Sequence, residues 1–304
     1  MFKFILQRLL LIVLVICTII FAVNFGMLLV GHNAQEEPSE TVGELARTSL
    51  TNTRDFIGNS FHGEFGTYQT RAGPLEVSEM LKASFVASVG LMVIASAIAA
   101  VLGVLLGMFV ALTKIKGIPF VILTATIIGV SVPSFFAAML LQQGIIVIFR
   151  EYGTRYLSVA GLGWDYQHLL LPVLVLMARP VAYIMRTSYI VLDRTMQEEY
   201  IRTAYSKGLR QRYVVNVHAL RNVAVPILTA IGVSWRFSLG VLPVVEFMFG
   251  WPGMGLRMLE GINSSQLVMV VPLAAIFGLI LLLGNFLLDI LYRLIDPRIR
   301  EVAT

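Results

Sequence analysis

Two arginines stand inside long apolar runs, Arg179 just before Pro180 and Arg236 just after Trp235 on a stretch that also carries Gly232, Ser234 and Ser238. A charge in such surroundings is costly unless a partner or water meets it, so each marks a packing contact or a place where an anion is received. Arg179 lies seven residues before Arg186. The two can share one face packed against carboxylates or carbonyls of a second membrane chain, and that structural role is the reading for Arg179. Arg236 suits a translocation path in which it meets a carboxylate in transit; the structural reading stays open for it too. Glu246, ten residues further on and about 15 Å along a helix axis, is too far to pair with Arg236 within one helix. With the Trp251-Pro252-Gly253 turn it suits an external gate, although aromatic residues at this depth are also ordinary interface anchors. Asp289 and Arg293, spaced i,i+4, read as a local ion pair.

Hydrolytic chemistry finds no support. The histidines are His32, His62, His168 and His218, all outside the centres of apolar runs, and Asp289 has no aspartate counterpart in another run, so neither protease constellation is assembled. No Gly-Lys-Ser or Gly-Lys-Thr phosphate loop occurs, so ATP hydrolysis by this chain is not expected. No catalytic residue, metal site or bound cofactor is expected.

The elements that position these residues follow from composition. Of 304 residues, 57% are hydrophobic and 13% charged, and the mean hydropathy is +0.82. Too little charge remains to cover a soluble surface, which excludes an ordinary globular enzyme, a disordered chain and a nucleic-acid binder. The +5 charge is spread in short clusters between apolar runs, a pattern of membrane topology. The single cysteine, Cys17, reports nothing about redox compartment.

A lipid-spanning helix needs about 20 apolar residues with every backbone group satisfied internally. Six stretches qualify: Leu9–Val30, Ser84–Leu112, Ile118–Ile148, Leu169–Val191, Val223–Val245 and Val268–Tyr292. The third is read as one helix kinked at Pro133 and ending near Gln142 and Gln143. The first has no clear small-x-small cleavage site and is read as a retained helix. With the N-terminus cytoplasmic, the inner segments carry 14 basic residues and the outer ones 7, in keeping with the positive-inside rule. The chain then divides into an N-terminal span (1–30), an extracytoplasmic segment (31–82) with turn-rich patches such as Gly63-Glu64-Phe65-Gly66, and a five-helix core (83–304) whose loop 192–222 is cytoplasmic. Gly103 and Gly107 form a small-xxx-small pair for helix packing.

Within that loop, Thr195-Met196-Gln197-Glu198 has the capping-box pattern and predicts a helix over Met196–Lys207, about 18 Å long. Met196, Tyr200, Ile201, Ala204 and Tyr205 fall on one face at 3.6-residue spacing, Glu199, Arg202 and Lys207 point elsewhere, and Gly208 suits the C-terminal cap. Periodicity alone leaves two readings open: a helix lying on anionic lipid, or a docking knob for a cytoplasmic partner.

The run Glu199-Tyr200-Ile201-Arg202-Thr203-Ala204-Tyr205-Ser206-Lys207-Gly208-Leu209, followed by His218-Ala219-Leu220-Arg221-Asn222 and Pro226, resembles the "EAA" coupling loop of ABC-importer permeases, in the version of the dipeptide, oligopeptide and nickel permease family. There the triplet reads Arg-Thr-Ala, as Arg202-Thr203-Ala204 does. Val244-Val245-Glu246 and Phe249-Gly250-Trp251-Pro252-Gly253-Met254-Gly255 are similar to the family signature after the fifth span. His168-Leu169-Leu170-Leu171-Pro172, Val132-Pro133-Ser134-Phe135 and Leu287-Leu288-Asp289 through Asp296-Pro297-Arg298-Ile299-Arg300 also match. One departure follows the first span, where Val30-Gly31-His32-Asn33-Ala34 stands in place of the family's Pro-Gly-Asp-Pro.

The resemblance implies an all-α, polytopic type I ABC-importer permease fold with six transmembrane helices, in a bacterial or archaeal cytoplasmic membrane with both termini inside. It implies half of a heterodimeric pore whose partners are a second homologous permease, two cytoplasmic ATPase subunits carrying ATP and Mg, and an extracytoplasmic substrate-binding protein. Glu199 through Tyr205, with Lys207 and Gly208, would couple to the ATPase: Tyr200, Ile201, Ala204 and Tyr205 as apolar anchors, Ala204 permitting close approach, and Glu199, Arg202 and Lys207 as rim charges. Peptides are the expected cargo, with nickel, glutathione or another small solute as alternatives. An ion-coupled secondary transporter is the rival class, but no internal repeat is seen and the capped helix would go unexplained.

Overall fold

The computed structural model describes residues 2–34, 41–70, 73–115, 117–153 and 156–295. The Asp296–Arg300 motif and the side chain of Arg293 lie outside the described residues. In chain order the helices are α1 (Phe2–Ala34), α2 (Val42–His62), α3 (Val77–Leu112), α4 (Ile118–Ser131), α5 (Ser134–Tyr152), α6 (Tyr166–Met196), α7 (Glu199–Ser206), α8 (Gln211–Tyr213), α9 (Leu220–Met248), α10 (Met254–Asn263) and α11 (Leu267–Ile295). A six-residue π-helical segment, Val214–Ala219, joins α8 to α9. The described strands are β1 (Thr67–Thr70) and β2 (Gly73–Glu76), an antiparallel pair. Six helical stretches are long and apolar enough to cross a membrane, so the all-α, multi-pass architecture holds.

The third expected span differs. Pro133 has no backbone N–H to give, and instead of kinking one helix it separates two, with Val132 and Pro133 in extended conformation between them. The second piece runs through Gln142 and Gln143 to Tyr152, because Gln142 is anchored: its Nε2 donates to Val159 O at 2.9 Å and Met248 O at 2.8 Å. Ser134–Tyr152 is long enough to span, whereas Ile118–Ser131 is a shorter apolar helix.

Two compact units divide the chain. One comprises Met1–Gly90 and Gly250–Phe286. Its core joins Val77, Met80 and Leu81 of α3 to Met254, Met269 and Leu273. Its outer segment, beside the turn-rich patch at Gly63–Gly66, holds a helix that the sequence analysis does not anticipate: α2 begins at Thr41, whose N–H donates to the Glu44 carboxylate at 2.8 Å, and stops at Gly63 in the left-handed region. α1 stays helical through Gly31 to Ala34, where the family's prolines are missing.

The other unit runs from Leu91 to Phe249 and resumes at Leu287. Here α3 lies against α6 at Gly103 and Gly107. A Cβ on Gly107 would fall 2.6 Å from Met185 O, and one on Gly103 would fall 2.8 Å from Ile184, so the small pair does set helix contact. α6 starts at Asp165, whose carboxylate accepts from the N–H groups of Gln167 and His168. That carboxyl is held below its usual range, first by the His168 side chain at 2.9 Å and then by these amides.

Candidate functional site

The segment between α6 and α9 carries the first candidate site, and its boundaries differ from expectation. The apolar run of α6 continues to Met196, so Thr195 closes that helix rather than capping the next. α7 begins at Glu199 after Glu198, with no side-chain cap, and is 8 residues or about 12 Å long. A helix this short does not stand alone in water. It stands because Ile201, fully buried, and Ala204, 5% exposed, dock into a cluster with Leu192 of α6, Val214 and Ala219 of the π-helical segment, and Val223 and Ile227 of α9. Its end is a Schellman turn: Gly208 adopts φ 76°, its N–H donates to Tyr205 O, and Leu209 N–H donates to Ala204 O.

The expected apolar face is therefore split. Ile201 and Ala204 point into the chain and are occupied, so they hold α7 in place and cannot anchor a partner; 3.6-residue spacing identifies a face but not what covers it. Tyr200 and Tyr205 are exposed, as are Glu199, Arg202, Thr203, Lys207 and Gly208. Glu199 and Arg202 pair at 2.9 Å, Thr203 Oγ1 donates back to Glu199 O, and Tyr200 Oη accepts from Asn222 Nδ2 at 2.7 Å. That last bond, invisible in the sequence, ties α7 to the foot of α9. The outward surface is thus two tyrosines flanked by an exposed ion pair and a lysine.

The expected gate residues have a different setting. Trp251 is fully buried, and its indole N–H donates to Ala87 O at 3.0 Å. Met254 N–H donates to Ser88 Oγ at 2.7 Å, and Gly253 N–H turns back on Trp251 O. Trp251 and Gly253 are packed against α3, and Pro252 is half-buried, so this turn clasps α3 and carries no exposed aromatic. Glu246 is fully buried on α9.

The intramembrane arginines are separated by the structure. Arg236 is exposed on α9, as Arg179 and Arg186 are on α6. Arg179 and Arg186 share one stripe of α6, as their spacing suggested, but that stripe opens on a cavity of about 320 Å³ that also meets Thr126 and Ser131 of α4, Tyr183 of α6 and Phe237 of α9. Tyr183 and Phe237 meet edge to face with centroids 5.4 Å apart. Among the described residues no cluster of three or more His, Cys, Asp or Glu side chains is placed to hold a metal ion.

Comparison with known proteins bears on this geometry. Residues 103–301, which include α4 to α11, match the family described as binding-protein-dependent transport system inner membrane component. The chain is similar to the glutathione transport system permease protein GsiC of Escherichia coli (strain K12), with 30% identity over 245 residues that cover 81% of this chain and 78% of that protein. It is also similar to the oligopeptide transport system permease protein AppB of Bacillus subtilis (strain 168), with 28% identity over 248 residues, 80% of this chain and 78% of the relative.

Proposed function

We propose, for a chain that belongs to the family of binding-protein-dependent transport inner membrane components, that it forms half of a pore importing peptides at the expense of ATP hydrolysed elsewhere. The observation that carries this reading is α7, a short helix fastened from behind by Ile201 and Ala204 and turning Tyr200, Tyr205, Glu199, Arg202 and Lys207 outward. In this reading the loop 192–222 and both termini are cytoplasmic, and the outward face of α7 sits in a groove of an ATPase subunit. The tyrosines are its anchors and the charges its rim.

Because α7 shares a core with α6, the π-helical segment and α9, a push on it moves those helices as a body, which is how closure of two ATPase subunits would switch the pore between inward-open and outward-open forms. The other half of the pore is a related second permease, and a binding protein delivers cargo from outside. ATP and Mg belong to the ATPase subunits, and no cofactor is assigned to this chain. The names of the relatives favour a peptide cargo, oligopeptide or glutathione.

The test is uptake of radiolabelled trialanine and of glutathione into vesicles carrying the complete transporter, with the ion gradients collapsed. Uptake that needs ATP and the binding protein is expected. Uptake that is lost when the gradients are collapsed, although ATP and the binding protein are present, would identify a secondary transporter and overturn the reading.

A further inference from the structure

Arg179, Tyr183 and Arg186 recur at i, i+4 and i+7, so they form one stripe on α6, with the two guanidinium-bearing residues about 10 Å apart along the axis. The stripe faces the cavity of about 320 Å³, within the size of small-ligand pockets. Neither arginine has a hydrogen-bond or ion-pair partner among the described residues, and no carboxylate lines the cavity. Both side chains are exposed at the cavity, and two like charges facing it without a counter-charge are unfavourable, so an anion relieves both.

The backbone adds a second, independent sign. Ser131 ends α4 at the cavity, and a smaller pocket of about 20 Å³ joins Arg179 to Val132 and Ser134 at the break between α4 and α5. Irregular backbone inside a bilayer is tolerated where it lines a wet cavity or is covered by protein. α5 begins there after Pro133 with no side-chain cap, so its first N–H groups bring the positive end of a helix dipole to the same place. The C-terminal end of α4 at Ser131 brings an opposing dipole to the same break, so the net positive field comes from the two guanidinium groups. Beside the arginines on the same stripe, Tyr183 meets Phe237 of α9 to form an apolar and aromatic surface.

We propose that this cavity is an anion-receiving station of the pore: a carboxylate of the passing solute is held first by one and then by the other of Arg179 and Arg186, while an apolar portion lies on Tyr183 and Phe237. Two sites in series on one helix let the solute bind well enough to enter and weakly enough to leave. The assignment rests on the importer reading above and gives Arg179 a substrate role in place of the structural one expected from sequence.

The test needs no knowledge of the cargo. Cys17 is the only cysteine of this chain, so Cys17→Ser leaves the chain without a thiol and Ser131→Cys then puts one at the cavity wall, with labelling read by mass spectrometry on this chain alone. In membranes containing the full transporter, that thiol is titrated with the anionic reagent sulfonatoethyl methanethiosulfonate and the cationic reagent trimethylammonioethyl methanethiosulfonate, each rate being divided by its rate with a free thiol in solution. The normalised ratio should favour the anionic reagent by about tenfold or more, the scale of focusing in a charged cleft. It should fall stepwise in Arg179→Gln and Arg186→Gln and persist in Arg179→Lys and Arg186→Lys. A thiol that reacts with neither reagent in the assembled transporter would show the arginines sealed against a neighbouring subunit, and a ratio unmoved by both Gln substitutions would show no anion preference; either result overturns the proposal. Because the readout is independent of transport, loss of peptide uptake with the ratio intact would count against the peptide-importer reading instead.

Discussion

Ile201→Ala isolates what holds α7. The Ile201 side chain is fully buried among Leu192, Val214, Ala219, Val223 and Ile227. The substitution removes three methyl or methylene groups, worth about 0.8 kcal/mol each and so about 2.4 kcal/mol of transfer. The cavity left behind adds to this, within the 2–5 kcal/mol range of such truncations. Since about 1.4 kcal/mol corresponds to tenfold, the undocked population of α7 should rise about fiftyfold or more. Hydrogen exchange followed by mass spectrometry on the purified protein reads this at the amides of Lys207, Gly208 and Leu209, which donate to Thr203 O, Tyr205 O and Ala204 O. Tyr205→Ala is the control, because the ring is exposed and its removal should leave exchange within the error of a surface change. Unchanged exchange in Ile201→Ala would refute the argument that burial within the chain, not contact with a partner, keeps this helix folded.

Gly107→Leu should displace α3 from α6, since even a Cβ would lie 2.6 Å from Met185 O; a loss of about 1–3 kcal/mol is expected, read as a lower melting midpoint in detergent. Trp251→Phe leaves Ala87 O without its indole donor at a buried site, and a cost of about 1–3 kcal/mol should appear in the same melting experiment, with a larger loss for Trp251→Ala. Because the Asp165 carboxyl sits below its usual range, its contribution is complete above that range and disappears as the pH falls through the lowered value. Asp165→Asn, which keeps an oxygen for the α6 amides but not the charge, should therefore flatten the acid limb of the melting-midpoint profile by lowering the neutral-pH midpoint while leaving the midpoint at the acid end little changed.

What could be read from the sequence depended on which constraint spoke loudest. The spans were legible because lipid demands about 20 apolar residues in a row, and the pairing of Arg179 with Arg186 was legible because a helix has a fixed period. The start of α7 was misplaced because Thr195-x-x-Glu198 has the residues of a capping box but lies where α6 is still paying out its apolar run. The same pattern at Thr41-x-x-Glu44 does open a helix, α2. Ile201 and Ala204 were assigned outward because spacing gives a stripe without naming its neighbour. The cavity was out of reach of any local rule: Ser131, Arg179 and Phe237 belong to three helices and meet only when those helices pack.

The π-helical stretch Val214–Ala219 has a geometric result for the site it supports. A helix wound with i to i+5 bonds holds one residue more than an α-helix would over the same span, and this surplus can be absorbed or moved along with little change in bonding. Each residue taken up or released turns whatever precedes it by about 100° and shifts it about 1.5 Å along the axis. Val214 and Ala219 are the surfaces on which Ile201 and Ala204 rest. The surplus residue at the base of α9 thus helps set the direction in which the tyrosine-bearing surface faces.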